Sequence, residues 1–420
     1  MQNFSFFLAH SWHNLQQCYD LACVFLSEQR HLHTCQITDF FKSIHSSFER
    51  LVFMTQTQTQ TRVTFAKNVG FRKELNKRVD AYFESENIAK RDNLAMYLKT
   101  AIILGWVISA WTFTLFGPPI MWMKVFGCVL LGLGIAGVGF SVGHDANHGG
   151  YSSHKWVNSI FGLTYDVIGL SSSLWRFRHN FLHHTYTNIL GHDVEIHGDG
   201  LVRMSPYMEH KWYHKFQHLF IFIVYAIIPF YWSVADVNLA LFKRKYHDHV
   251  ISIKPLEVII LLVGKLVWLG VFVGIPLVVG YTPLQVIVGF SIAYITYGLL
   301  ICNVFMLAHV LAPAEFLQPH PESNDIDDEW AISQVKTTVD FAPKNAFLNW
   351  YLGGLNYQVV HHLFPQICHI HYPKIAPILA EVCADFGVQY NVYPTFGEAL
   401  VANFRWLKLM GTSPQESTAL

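Results

Sequence analysis

The sequence predicts an all-α integral membrane protein: four transmembrane helices in two hairpins, with a cytoplasmic helical cap. Three observations carry that expectation. Four apolar runs, about 97–117, 121–142, 257–280 and 284–308, reach the roughly 20 residues that a helix needs to cross a bilayer. The first pair is joined by Gly117-Pro118-Pro119 and the second by Tyr281-Thr282-Pro283. Connections this short, punctuated by Gly and Pro, force each pair to run antiparallel. Finally, Arg72, Lys73, Lys77 and Arg78 precede the first run and Lys243, Arg244 and Lys245 precede the third, and such charges beside spans lie on the cytoplasmic side.

Composition agrees. The chain is 52% hydrophobic and 14% charged, with 33 Phe and 12 Trp, so its 420 residues do not read as two or three soluble domains. A net charge of zero leaves no footprint for a nucleic-acid partner. The seven cysteines, at 18, 23, 35, 128, 302, 368 and 383, are scattered and form no C-x-x-C. That argues against a disulfide framework and for a reducing, cytoplasmic face.

Residues 1–53 hold three of the seven cysteines and five of the 24 histidines at no repeated spacing, and lack the pattern of a secretory signal. A Thr-Gln alternation follows from Thr55 to Thr61. Residues 1–62 therefore read as a disordered or mis-started extension, in which 1–53 lie upstream of a natural start at Met54; for 1–53 a metal-binding or targeting extension is the alternative. The main domain is expected over 63–410, with a flexible tail over 411–420. From Phe71 to Ile88, Phe71, Leu75, Val79 and Phe83 recur every four residues, which predicts an amphipathic helix on the membrane surface or packed on the cap.

Histidines carry the chemistry. They form three clusters, His144-Asp-Ala-Asn-His148, His179-Asn-Phe-Leu-His183-His184 and Gln358-Val-Val-His361-His362, and His309 ends the fourth run. On a helix, residues four apart share a face, so His144 and His148 can meet one centre. His179 and His183 share a face, with His184 offset; Gln358 and His361 share one, with His362 offset. Neutral imidazoles suit iron, copper or zinc, and no thiolate set for a structural zinc site accompanies them. Eight imidazoles exceed what one ion needs but suit two. Haem, which takes one or two axial ligands, fits less well. All three clusters must then face one side, so an even number of crossings separates the second from the third. The runs 257–280 and 284–308 already supply two, so a fifth apolar run, about 217–236 and interrupted by Pro229, is expected to lie along the interface or dip in and return.

A metal transporter is the rival from another class. Transport calls for ionisable ligands at mid-membrane depth, whereas the spans offer lysines, Lys99 and Lys124 near their ends and Lys265. His154, His210, His214 and His218 read as polar side chains near water. Two metals that activate O2 can oxidise an unactivated C–H bond, and a lipid acyl chain is the substrate within reach. Composition and spacing thus point to a non-haem diiron oxidase of lipid chains, without choosing desaturation over hydroxylation.

At these residues the chain resembles the membrane fatty acid desaturases, whose histidine boxes read H-x-x-x-H, H-x-x-x-H-H and [H/Q]-x-x-H-H. Gln358 in the third box is similar to the front-end subgroup. The stretches Gly143 to His148, Trp175 to Gly198, Asn356 to Pro365 and Val63 to Leu75 resemble its cyanobacterial acyl-lipid Δ6 branch. The resemblance spans about residues 54–410. It implies conversion of linoleoyl to γ-linolenoyl chains in membrane glycerolipids, with another regiochemistry or a hydroxylase on the same scaffold as the alternatives. It also implies two iron ions held by His144, His148, His179, His183, His184, His309, His361 and His362, with O2 as co-substrate. Gln358, a weaker amide donor, is implied as a site residue that ligates, acts through water or holds a neighbour. Asp145, Asn147, Asp193, Asp327, Asp328 and Glu329 are candidates to orient the imidazoles; solvated loop charges are the plainer reading of the last three. No His-Pro-Gly-Gly string occurs, so no fused cytochrome b5 domain is expected and ferredoxin is the implied separate donor. The implied location is a cyanobacterial plasma or thylakoid membrane, with the active site on the cytoplasmic face.

Overall fold

A computed structural model describes residues 63–246 and 249–412. The expectations for residues 1–62 and for the tail beyond Thr412 lie outside the described residues. In chain order the main helices are α1 (Phe71–Ser85), α2 (Leu94–Phe116), α3 (Met121–His148), α4 (172–186), α5 (Trp212–Lys243), α6 (Pro255–Val279), α7 (Pro283–His309), α8 (Trp330–Thr337), α9 (Gln358–Leu363), α10 (Tyr372–Asp385) and α11 (Phe396–Met410). Two-residue strands pin the loops: Thr64–Phe65 pairs in parallel with Asp325–Ile326, and Asp340–Phe341 with Val392–Tyr393.

Five of these helices, α2, α3, α5, α6 and α7, are long and apolar enough to cross a membrane. Helix α3 is the most enclosed, with α2 along one flank and α7 along another, and α7 also packs against α5. Small residues set these approaches. A methyl at Gly132 would lie 2.4 Å from the Ala293 carbonyl, so α3 and α7 touch backbone to backbone there. Outward-facing Ile102, Ile108, Leu266, Val278 and Ile287 are exposed, a belt that suits hydrocarbon rather than water. Three lysines within these helices are engaged. Lys124 Nζ donates to the carbonyls of Thr114, Leu115 and Gly117 at 2.8, 3.1 and 3.0 Å, tying the α2–α3 turn to Tyr281 in the α6–α7 turn. Lys99 Nζ sits 2.7 Å from His369 Nε2, and Lys265 Nζ donates to the Gly169 carbonyl.

The amphipathic helix is α1. Phe71, Leu75, Val79 and Phe83 are all buried, and they pack on α8 and α10 rather than facing lipid. Glu329 caps its start, its carboxylate oxygens accepting from the Val69 and Arg72 N–H groups at 2.9 and 3.0 Å.

The fifth apolar run is not interrupted at Pro229, because α5 passes through it as one helix. Proline removes the N–H that would bond the Tyr225 carbonyl. That carbonyl instead meets the side without a side chain: a methyl at Gly298 would lie 2.4 Å from it, and Cys302 Sγ contacts it at 4.0 Å. Packing against α7 thus replaces the missing helical bond. Both ends of α5 touch helices outside the apolar bundle. Gln217 Nε2 donates to the Leu407 carbonyl of α11 at 2.8 Å, and buried Asp236 faces Arg178 of α4 at 3.8 Å.

Gly298→Leu is expected to prise α5 from α7 and lower the stability of the detergent-solubilised protein by about 1–3 kcal/mol. Gly105→Leu, where a Cβ meets nothing within 4 Å, should stay within about 0.5 kcal/mol. Thermal unfolding of both variants checks the contrast.

Candidate metal centre

The first histidine cluster closes α3. Just before it, Val138–Gly143 widens into a π-helical turn, a local expansion often found at functional sites. Gly143 is required there, since a Cβ would lie 2.3 Å from the Tyr165 ring. The second cluster also lies on π-helical backbone, Arg176–His183. His309 is the last residue of α7, and the third cluster occupies α9.

Distant parts of the chain hold these pieces against one another. Gly353, at φ +62°, lies so close to α3 that a Cβ would sit 2.2 Å from the Phe140 carbonyl, which docks the lead into α9 beside the first cluster. Asp340 then caps α9 from outside, accepting from the Val359 N–H at 2.9 Å and from the Tyr390 hydroxyl. Asn188 Nδ2 donates to the carbonyls of His309, Glu315 and Thr337 at 2.9, 3.1 and 3.2 Å, joining the end of α7 to the loop after α4.

All eight histidines and Gln358 are buried and converge on one region in two adjacent groups. The donor atoms of His144, His148, His179 and His361 lie within 4.8 Å of one another, and so do those of His183, His309 and His362. His184 stands between the groups. Its Nε2 lies 3.3 Å from His179 Nε2 and 3.0 Å from His361 Nε2, while its ring stacks on His362 at 4.3 Å. Gln358 Nε2 is 3.1 Å from His309 Nε2 and 3.4 Å from His362 Nε2, which places the amide at the second group.

His144 and His148 meet one group, as the four-residue spacing predicts. The other two clusters divide differently from expectation. His179 and His183 do share a face, with rings stacked at 5.2 Å, yet each serves a different group, because different neighbours meet them: His144, His148 and His361 at His179, and His309 and His362 at His183. In α9, Gln358 sides with His362 and His361 turns to the other group.

Second contacts fix several rings. His183 Nδ1 lies 2.9 Å from Asp193 Oδ2, which also accepts from the Asn188 N–H at 2.9 Å. His362 Nδ1 lies 2.9 Å from Gln334 Oε1 and 3.1 Å from Thr187 Oγ1, and His361 Nδ1 lies 3.4 Å from the Tyr372 hydroxyl. Gln334, Thr187, Tyr372 and Asn188 had no signal in the sequence, because their roles depend on contacts between remote segments. Of the carboxylates singled out, Asp193 bonds a cluster histidine. Asp145 contacts His369 Nδ1 at 2.7 Å and lies 3.9 Å from His144 Nδ1. Asn147 holds the Gly143 and Gly162 carbonyls. Asp327 and Asp328 pair with His320 and Lys336, and Glu329 caps α1, so these three serve the periphery.

The electrostatics favour bare nitrogen donors. Burial first, and then neighbouring imidazoles, hold His179, His184, His361 and His362 well below the ordinary histidine range. They are neutral at physiological pH, the state that ligates a metal. His148 Nε2 and His183 Nε2 are buried without a hydrogen-bond partner, and unmet nitrogens crowded at 3.0–3.3 Å are what a cation would satisfy. The residues therefore fit a metal ion in each group. Asp145, Cys368 and His369 also cluster, but both His369 nitrogens are already taken, Nε2 by Lys99 Nζ at 2.7 Å and Nδ1 by Asp145 at 2.7 Å. A cavity of about 740 Å³ opens between the two hairpins near Gly117 and Gly280, at the opposite end of α3 and α7 from the histidines.

A family model described as fatty acid desaturase matches residues 120–394, a stretch holding all three clusters and His309. The chain is 64% identical to the sn-1 linoleoyl-lipid 6-desaturase of Arthrospira platensis over 360 residues, covering 86% of this chain and 97% of that protein. It is 56% identical to the sn-1 linoleoyl-lipid 6-desaturase of Synechocystis sp. over 354 residues, covering 84% of this chain and 99% of that protein. An acyl-lipid (8-3)-desaturase of Physcomitrium patens is 33% identical over 359 residues, 82% of this chain and 72% of that protein. With helices fit for a membrane and two buried histidine groups at their ends, the chain belongs to the fatty acid desaturase family.

Proposed function

We propose that this protein is a front-end acyl-lipid desaturase that introduces a cis double bond at Δ6 of linoleoyl chains in membrane glycerolipids. The observation that carries the reading is the meeting of two buried histidine groups, bridged by His184, in a chain 64% identical to a linoleoyl-lipid 6-desaturase. Two iron ions are the metals proposed. His144, His148, His179 and His361 would hold one and His183, His309 and His362 the other, with His184 between them and Gln358 beside the second. Bound there, the iron pair would supply O2 activation and the removal of two hydrogens from adjacent methylenes.

The chain's own residues do the placing. Asp193 keeps the His183 ring turned so that Nε2 faces inward. Gln334 and Thr187 do the same for His362. The buried setting excludes water and keeps imidazoles unprotonated. Electrons come from a separate one-electron carrier, for which ferredoxin is proposed.

Four crossings and a cytoplasmic site are proposed as well. The convergence of clusters on α4 and α9 requires an even number of crossings between them. Contacts at both ends of α5, with α11 and α4, support a helix that lies along the interface and does not cross. The domain proper is proposed to be 63–410.

Expression of the full chain with a ferredoxin supply in a host lacking this activity, fed linoleate, should yield γ-linolenate in membrane lipids by gas chromatography. A hydroxylated chain would favour the other chemistry of the scaffold, and unchanged lipids with altered metal flux would favour transport. Asp193→Ala is expected to weaken iron retention about 10–100-fold with the protein still in membranes. Iron per polypeptide after graded chelation measures this.

A further inference from the structure

A Δ6 reaction sets a distance. If C6 of the chain lies at the metals, the ester carbon C1 is about 6 Å away, given the roughly 1.2 Å advance per bond of an extended chain. Something polar near the histidine groups must therefore hold the ester end, while the remaining carbons run elsewhere. The nearby cations differ in what they can offer. Arg178 is buried facing Asp236, Lys99 is engaged by His369, and Lys265 by the Gly169 carbonyl.

Arg176 is different. It lies three residues before His179 and is half-buried, and its guanidinium makes one hydrogen bond among the described residues, from Nη1 to Asn147 Oδ1 at 2.8 Å. Asn147 is the neighbour of His148, so this guanidinium sits beside residues of the first group on two helices. It forms no ion pair among the described residues, and its nearest carboxylates, Glu257 and Asp166, act on it only at longer range. Most of its five N–H donors are thus free for a ligand. One turn on, Asn180 donates from Nδ2 to the Asn147 carbonyl at 2.9 Å, which fixes this part of α4 against the end of α3. The surrounding surface suits lipid: Trp156, Ile160, Leu163, Val167 and Phe181 are exposed apolar residues on the adjoining short helices and α4.

We infer that Arg176 binds the ester end of the lipid acyl chain and so determines which carbon faces the metals. The inference rests on the acyl-lipid reading above. A guanidinium donating to an ester carbonyl is a charge-assisted hydrogen bond in a partly dry site, and its loss is felt strongly.

The test compares full-length wild type, R176Q and R176K in the linoleate-fed host, scoring γ-linolenate by lipid class and iron per polypeptide. R176Q is expected to keep its iron and lose γ-linolenate at least about tenfold in every lipid class, with R176K recovering most of it. Wild-type yield in R176Q, a loss that follows iron loss, or R176K as inactive as R176Q would overturn the inference. So would a loss confined to anionic lipids, which would assign Arg176 to a charged headgroup. Failure of the wild type itself to make γ-linolenate would instead refute the Δ6 reading.

Discussion

Eight imidazoles share one buried region, and most of the surrounding structure answers the problem this creates. A buried nitrogen without a partner costs about 1–3 kcal/mol, and several here have none. Protonation is no remedy, because burial and crowding disfavour charge. Metal ions would satisfy the inward-facing nitrogens together, which accounts for the clusters meeting at one place although His144 and His362 are 218 positions apart.

The membrane helices serve this centre as rigid posts. Helices α3 and α7 end in ligand-type histidines, and their small-residue contact at Gly132 fixes the two ends relative to one another. The cap then brings α4 and α9 across the opening through Asn188, Asp340 and the close approach at Gly353. Helix α1, whose apolar stripe is spent on α8 and α10, seals the outer side.

Much of this was legible in the sequence. The positions of the long apolar helices followed from run length, the α1 stripe from its four-residue period, and the grouped histidines from ligand chemistry at helical spacing. Other features depend on contacts that no local pattern encodes. The continuity of α5 through Pro229 needed Gly298 on another helix to receive the freed Tyr225 carbonyl. The division of His179 from His183, and of His361 from Gln358, depended on where neighbouring helices cross rather than on angle around one axis. The supporting groups Gln334, Thr187 and Asn188 are ordinary loop and helix residues until the fold places them. The apolar stripe of α1 fitted lipid and protein equally well, and only the packed cap decides between them.

The account turns on a pair of metals held by this imidazole set. Iron analysis joined with Mössbauer spectroscopy of purified, active protein tests it most directly. The account predicts two iron ions per chain, in nitrogen-rich surroundings and magnetically coupled once oxidised; active protein with a single isolated iron, or with none, would contradict it.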